Sequence, residues 1–194
     1  MVERSAIETQ RLRLEPFAPA HAEAMLAYYE RNRAHLDPWE PARSATFYTL
    51  ALHRDECARA VEAAGRQEYV RFAVFSREDE TLVGLFNLWH IRRGVIHAAI
   101  VGYSVDEAHG GRGFATEAGA AVVNYAFAVL KLHRIETSYH PMNERSGRVL
   151  RKLGFSVEGY ARDYLFMRGA WQDAILVARI NPDWTPSPAE GAAL

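Results

Sequence analysis

Hydrophobic and polar positions alternate with two different periods along the first third of the chain. Residues 11–15 alternate charged and apolar side chains, which predicts a short strand. Helical spacing follows at residues 19–33 and again at residues 48–64, where Gly65 ends the second helix. The segment HLDPWEP between the two helices contains two prolines, so it is predicted to be a rigid turn or loop.

The middle of the chain has the pattern of strands. Strands are predicted at residues 69–76, 82–91 and 95–105, with polar turns between them, so they form an antiparallel meander. A helix is then predicted at residues 114–130, because its apolar side chains share one helical face.

The last third adds a strand at residues 134–139, a short helix at residues 144–153, and strands at residues 155–159 and 172–180. This order predicts an α+β fold with a mixed, mostly antiparallel sheet flanked by helices. Since no linker interrupts the pattern, residues 1–185 are predicted to form a single domain. Residues 186–194 are rich in proline and small residues and are predicted to be a flexible tail.

Composition excludes several classes of protein. Hydrophobic residues make up 49% of the 194 positions and charged residues 24%, as in an ordered globular protein. The formal net charge of -1 argues against a uniformly basic nucleic-acid binder, so direct nucleic-acid recognition is not expected. One cysteine, Cys57, excludes an internal disulfide framework, and the eight histidines are not spaced as a metal site.

The chain starts without the apolar segment of a signal peptide and contains no run of about 20 apolar residues. We therefore expect no membrane association and a cytoplasmic location.

A glycine-rich turn carries the clearest chemical signal. Gly110, Gly111 and Gly113 lie between a predicted strand and a predicted helix, with Arg112 among them. Glycine permits a positive φ and a close approach of a ligand, and a helix N-terminus binds anions through free N–H groups. The turn therefore suggests a phosphate site, with a tight turn that binds nothing as the alternative. Its spacing matches neither the dinucleotide-binding fingerprint nor the Walker loop.

The same turn resembles the signature of the GNAT superfamily of acetyl-CoA-dependent N-acetyltransferases, Q/R-x-x-G-x-G/A. Gly113 and Ala115 match it, whereas Gly110 replaces the usual Gln or Arg, so backbone donors remain but a side-chain role is lost. Further along, N-x-x-S, LGF, EGY and G-x-W-x-D resemble the RimJ/RimL-like branch that acetylates ribosomal-protein N-termini. HLDPWEP and NPDW resemble its RimJ-type alanine N-acetyltransferases, and the whole resemblance spans residues 9–185.

The resemblance implies a GNAT-like sheet that is splayed at the acetyl-CoA site, between two parallel strands. The pantetheine would pair with the strand before the glycine turn, and the pyrophosphate would lie on the turn and the following helix. The implied coenzyme-binding residues are Tyr103, Ser104, Val105, Gly110, Gly111, Arg112, Gly113, Phe114, Ala115, Thr116, Asn143 and Arg148.

Acetyl transfer needs a neutral amine, a polarised thioester and a proton for the departing sulfur. Backbone N–H groups near Val105 are candidates for polarising the carbonyl, and the resemblance assigns the proton donor to Ser146. The alternative is structural, with Asn143 as the helix cap and Ser146 as an ordinary first-turn residue. Cys57 has no neighbouring histidine in the sequence, so an acetyl-cysteine route is not expected.

The acceptor side is assigned to HLDPWEP and the last hairpin. Glu40 is the candidate base or ammonium ligand, and Trp39 a cation–π wall. In the alternative, Trp39 packs on the core and Glu40 is solvated. Asp163 and Tyr164 are further substrate-binding candidates, while Leu165 stands where the related serine- and threonine-specific branch has a proposed Glu base. A basic substrate would favour an acidic rim, for which the candidates are Glu40, Asp37, Asp163 and Asp173.

Three functions follow from these residues. The first is acetylation of a protein's N-terminal α-amine, such as that of a ribosomal protein starting with Ala, by direct attack in a ternary complex. The second is acetylation of a small amine, such as an antibiotic, a polyamine or an amino acid. The third is a non-catalytic acetyl-CoA-binding or ribosome-associated module. An open groove beside HLDPWEP would favour the first, and a closed pocket the second.

Overall fold

A computed structural model of the protein describes residues 5–186, and one eight-stranded sheet forms its centre. The strands are β1 (Ile7–Glu8), β2 (Leu12–Pro16), β3 (Val70–Ser76), β4 (Leu82–Arg92), β5 (Ala98–Val105), β6 (Arg134–Tyr139), β7 (Ser156–Met167) and β8 (Ala170–Ile180). The helices are α1 (Ala22–Arg31), α2 (Arg33–Leu36), α3 (Leu50–Gly65), α4 (Phe114–Ala128) and α5 (Glu144–Lys152). From residue 187 on, the predicted tail lies outside the described residues, and the domain boundaries remain a prediction.

The sheet has the strand order β1-β2-β3-β4-β5-β6-β8-β7. Every neighbouring pair is antiparallel except β5 and β6, which are parallel because α4 makes the crossover between them. The predicted mixed, mostly antiparallel α+β fold is therefore confirmed.

The parallel pair separates after three residues. Ala98, Ala99 and Ile100 of β5 pair with β6, and β5 then continues to Val105 with pairing to β4 alone. Among residues 5–186, no strand occupies the other edge of β5 beyond Ile100. Backbone groups along this edge face the gap between the two strands, which is the predicted splay.

Helices cover both faces of the sheet. On one face α4 and α5 bury Phe72, Phe86 and Leu150, and on the other α1 and α3 bury Met25 and Leu85. Residues 82–88 of β4 are buried without interruption, because a central strand covered on both faces has no solvent side. The part of β5 beyond Ile100, the open end of this strand, therefore lies between α1 on one face of the sheet and α5 on the other.

The helix predicted at residues 19–33 begins as a 3-10 turn at Pro19–His21 and ends at Arg31. Asn32 separates it from α2, which takes up His35 and Leu36 of the predicted loop. The strand predicted from residue 95 starts only at Ala98, because Gly94 and His97 have left-handed φ angles of 68° and 47°.

The strand predicted to end at Gly159 continues to Met167, so that prediction was too short. A register shift between Ala161 and Leu165 interrupts the pairing of β7 with β8. Asp163, inside this bulge, has a left-handed φ of 48°. The bulge breaks the alternation of side chains that would have marked the second half of the strand in the sequence.

Candidate active site

Tyr103 and Ser104, at the open end of β5, project to opposite faces of the sheet. On one face, the Tyr28 hydroxyl of α1 donates a hydrogen bond of 2.9 Å to Ser104 Oγ. On the other, Tyr103 stacks on Phe86 with ring centroids 5.1 Å apart and reaches α5. The strand edge proposed to hold pantetheine is thus fixed from both faces.

Ser146 lies in the first turn of α5, and its Oγ is 3.0 Å from the Tyr103 hydroxyl. Asn143 caps the helix, since its Oδ1 accepts the Ser146 N–H at 3.1 Å, as the structural alternative predicted. Burial raises the pKa of Tyr103 to about 12, against the lowering effect of the Ser146 hydrogen bond. Tyr103 therefore stays protonated at neutral pH and can act as a hydrogen-bond donor.

The glycine turn has the backbone of an anion-binding loop. Gly111 and Gly113 have left-handed φ angles of 75° and 86°, and Gly113 is the N-cap of α4. No backbone or side-chain acceptor within residues 5–186 meets the N–H groups of residues 111–115. These donors lie at the positive end of a helix dipole, so the turn fits a pyrophosphate.

Arg11 and Glu117 brace this turn, and the sequence analysis missed both. Glu117 in the first turn of α4 accepts hydrogen bonds from the Thr9 hydroxyl at 2.6 Å and from the Arg11 backbone at 2.8 Å. The Arg11 guanidinium contacts Glu117 at 2.7 Å, donates to the Arg112 carbonyl at 2.9 Å, and lies 4.7 Å from the ring centre of Phe114. The turn between β1 and β2 therefore supports the predicted coenzyme loop across 106 residues of sequence.

Asp106, the residue after β5, is a second support that the sequence analysis missed. Its buried carboxylate accepts hydrogen bonds from Arg31, Asn32 and the backbone of Ala108. Burial would raise the pKa of Asp106, but the hydrogen bonds from Asn32 and Arg31 lower it below its ordinary value. The position of an aspartate between a predicted strand and a glycine turn could have indicated a supporting role for Asp106. The sequence does not indicate which residues bind its carboxylate.

Glu40 and Trp39 follow α2 on the α1 face of the sheet. Glu40 forms an ion pair with Arg43 at 2.9 Å. Glu40 lines a small cavity together with Tyr29, and burial, with a smaller effect of the Glu40 charge, raises the pKa of Tyr29. The Glu40 carboxylate is therefore partly buried and paired with a cation, whereas the structural alternative expected it to be solvated.

Trp39 is 40% exposed, so the alternative in which it packs on the core is wrong. Its ring centre lies 6.3 Å from that of His140, which follows β6, and His140 Nε2 lies 3.2 Å from Oε1 of Gln172 in β8. The turn at residues 37–40, the end of β6 and the last hairpin thus meet at one end of the sheet.

The last hairpin joins this turn through Arg168, whose guanidinium contacts both the carbonyl and the carboxylate of Asp37 at 2.6 Å. Asp163 and Tyr164 are exposed in the bulge of β7. No hydrogen bond, ion pair or ring contact joins either of them to Trp39 or Glu40 in the part of the chain that is described.

The predicted acidic rim is already partnered within the molecule. Asp37 pairs with Arg168, and Glu40 with Arg43. Asp173 accepts hydrogen bonds from the Tyr160 hydroxyl and from the Asp163 backbone, which lower its pKa. Of the four acids, Asp163 is the one for which no carboxylate partner was found within residues 5–186.

The remaining candidates have partners within the described residues. Arg112 pairs with Glu78 at 3.7 Å, and Arg148 with Glu144 at 3.1 Å, both with half-exposed guanidinium groups. Cys57 is buried against Met25, and burial raises the pKa of its thiol to about 11. At neutral pH this thiol is protonated, and a protonated thiol is a poor nucleophile.

Comparison with known proteins identifies the family. Residues 11–156 match the acetyltransferase (GNAT) domain, so the chain belongs to the GNAT family. It is an N-acetyltransferase, and acetyl-CoA is its acetyl donor. The splayed β5 edge and the free N–H groups before α4 fit this donor.

Individual relatives are similar over nearly their whole length. The chain is 34% identical over 185 residues to the ribosomal protein uS5-alanine N-acetyltransferase of Escherichia coli (strain K12), covering 95% of both chains. The ribosomal-protein-S5-alanine acetyltransferase from Vibrio fischeri superposes with a TM-score of 0.90 at 35% identity, over 94% of this chain and 100% of that one. Mycobacterium smegmatis RimJ in complex with CoA-disulfide superposes with a TM-score of 0.83 at 29% identity, over 94% of this chain and 88% of that one.

The described residues 5–186 contain neither a cluster of metal ligands nor a membrane-spanning helix. No group of three His, Cys, Asp or Glu side chains is arranged to hold a metal ion. No helix in the described part of the chain has the length and hydropathy needed to cross a bilayer.

Proposed function

We propose that this enzyme acetylates the N-terminal α-amine of a protein, namely a ribosomal protein that begins with alanine, in the cytoplasm. The observation that carries the proposal is the similarity to the Escherichia coli uS5-alanine enzyme over 95% of both chains. The shared length includes the turn at residues 37–40 and the last hairpin, the two segments that flank the proposed acceptor side.

The shape of the acceptor side supports a chain rather than an enclosed small molecule. Trp39, Tyr164 and Leu165 are 40%, 49% and 39% exposed. The cavity beneath the turn, lined in part by Tyr29 and Glu40, has a volume of about 10 Å³. Such a volume holds about one water molecule, so it does not enclose an amine substrate.

In the proposed mechanism, the neutral α-amine attacks the thioester carbonyl in a ternary complex. The new C–N bond forms as the C–S bond breaks, the amine passes one proton to water, and the sulfur gains one from the Ser146 hydroxyl, which regains a proton from water. In this mechanism Tyr103 is assigned as the donor in the 3.0 Å contact with Ser146 Oγ, which leaves the Ser146 proton free to point towards the gap. An α-amine has a pKa of about 7.7–8.0, so roughly a tenth is neutral at pH 7 and a strong base is not required.

Glu40 is proposed to attract the incoming ammonium, with Trp39 as a neighbouring aromatic wall. Asp163 and Tyr164 are proposed to contact the following residues of the acceptor chain. Asn143 and Arg148 are proposed to contribute to coenzyme binding beside α5.

The test is a reaction of the pure protein with acetyl-CoA and lysine-free peptides that differ only in residue one. Thiol release and peptide mass report the product. We expect one acetyl group on a peptide starting with alanine and none on the same peptide with a blocked N-terminus. If coenzyme binds but every free-amine peptide stays unmodified, the α-amine assignment fails, and spermidine and free amino acids are the next substrates.

A further inference from the structure

Asn32 occupies a buried position between α1 and α2, far from the glycine turn in sequence. Its side-chain amide donates to the Tyr28 carbonyl at 2.9 Å and to Asp106 Oδ2 at 3.2 Å. Its side-chain carbonyl accepts the backbone N–H of Glu107 at 2.8 Å. Both amide protons and the carbonyl oxygen are thus engaged, two of the three bonds with residues that lead into the turn.

Asp106 and Glu107 start the segment that carries the glycines. The Asp106 backbone N–H donates to the Val83 carbonyl of β4 at 2.9 Å, and its carboxylate also binds Arg31 at 2.5 Å. Glu107 opens a 3-10 turn, Glu107–His109, that ends at Gly110. Any displacement of Glu107 is therefore passed to Gly110 and on to the free N–H groups before α4.

The backbone of Asn32 connects to the segment proposed to bind the acceptor substrate. Its backbone carbonyl accepts the N–H of Leu36, the last residue of α2, and the turn with Trp39 and Glu40 follows directly. Asn32 therefore joins the two loops: its side chain binds the start of the loop proposed for the coenzyme, and its backbone carbonyl binds the helix that precedes the loop proposed for the acceptor.

We infer that Asn32 is a positioning residue for acetyl-CoA, acting through its hydrogen bonds to Asp106 and the Glu107 N–H. It holds the start of the glycine turn so that the N–H groups of residues 111–115 converge on the pyrophosphate. The inference rests on the proposed coenzyme role of this turn but not on the identity of the acceptor.

Glu107 allows a test with a matched pair of variants. Glu107→Pro removes the N–H that Asn32 accepts, and Glu107→Ala keeps it, while both lose the same exposed carboxylate. Proline fits the first position of a helical turn, and Asp106 has an extended ψ of 134°, as a residue before proline requires. Asn32→Ala removes all three side-chain bonds, and its control is Asn181→Ala, directly after β8, which removes one hydrogen bond to the Leu132 carbonyl.

The measurement is the Kd of CoA by calorimetry without an acceptor, together with kcat and the KM of acetyl-CoA. We expect Glu107→Pro and Asn32→Ala to raise Kd and KM by about tenfold, with kcat at saturating acetyl-CoA nearly unchanged. Glu107→Ala and Asn181→Ala should bind CoA like the wild type.

Equal CoA affinity of Glu107→Pro and Glu107→Ala would overturn the inference, whether or not Asn32→Ala folds. So would a loss of affinity in Asn181→Ala as large as that in Asn32→Ala, since it would indicate a general effect of stability. Because CoA binding is read without an acceptor, failure of the α-amine proposal leaves this result interpretable.

Discussion

The Tyr103 hydroxyl lies 3.0 Å from Ser146 Oγ, across the gap between β5 and α5. The two residues are 43 positions apart in the sequence, and each is held independently, Tyr103 by stacking on Phe86 and Ser146 by the Asn143 cap. A tyrosine whose pKa is raised to about 12 donates and does not titrate near neutral pH. The pair therefore holds two neutral hydroxyls in contact, and in the proposed mechanism Ser146 would offer its proton to the departing sulfur.

Ser146→Ala should lower kcat by about 100-fold, because the sulfur would leave without its proton donor. Tyr103→Phe keeps the ring and should lower kcat by about tenfold, with little change in the KM of acetyl-CoA. Steady-state kinetics measure both, and Tyr69→Phe at the start of β3 is the control for losing a hydroxyl. A wild-type kcat in Ser146→Ala would remove this residue from the mechanism.

Gly113→Ala should weaken CoA binding and lower Tm. An L side chain at a left-handed φ of 86° costs about 1–2 kcal/mol, and the new Cβ would lie 3.4 Å from the Arg11 guanidinium that supports the turn. Gly169→Ala, at the hairpin tip with a φ of 81° and open space around it, is the matched control. It should lose similar stability yet keep its CoA affinity, as measured by calorimetry. Equal loss of CoA affinity in both variants would contradict the proposed role of the turn.

Glu40→Gln should raise the KM of an alanine-starting peptide by about tenfold, because the ammonium would lose a charged partner. Arg43→Met breaks the same 2.9 Å ion pair while leaving the Glu40 carboxylate in place. If Glu40 binds the ammonium, Arg43→Met should keep or lower the peptide KM. If the two variants have the same raised KM, Glu40 serves only to anchor the loop through Arg43.

Asp106 should contribute to the pH dependence of stability with a defined sign. Its folded pKa is lowered, so its contribution is present above the ordinary aspartate value of about 3.9 and is lost as pH falls through the folded pKa. Asp106→Asn should therefore be less stable than the wild type at pH 7, and the difference should shrink below about pH 4. Urea unfolding at several pH values measures this, with the exposed Asp55→Asn as control. A difference that is constant with pH would contradict it.

Local patterns predicted most of the secondary structure, because periodicity and turn residues act within a few positions. Alternation marked the strand at residues 11–15, helical spacing marked α4, and three glycines marked the turn in which Gly111 and Gly113 adopt a left-handed backbone. Two predictions were wrong at single points of the chain. The predicted helix is divided at Asn32, and the bulge around Asp163 removes the alternation that would have predicted the second half of β7. At these points tertiary hydrogen bonds override propensity.

Within the site, the sequence by itself determined the residue types: the glycine turn, Tyr103, Ser146 and the acids near Trp39. Only the tertiary structure decided which of them meet. It joined Tyr103 to Ser146, paired Asp37 with Arg168, and brought Arg11 to the glycine turn. It also placed Asn32 against Glu107, 75 residues away. The physical reason is that such hydrogen bonds form only after the sheet and both helix layers have assembled, so no local pattern of residues encodes them.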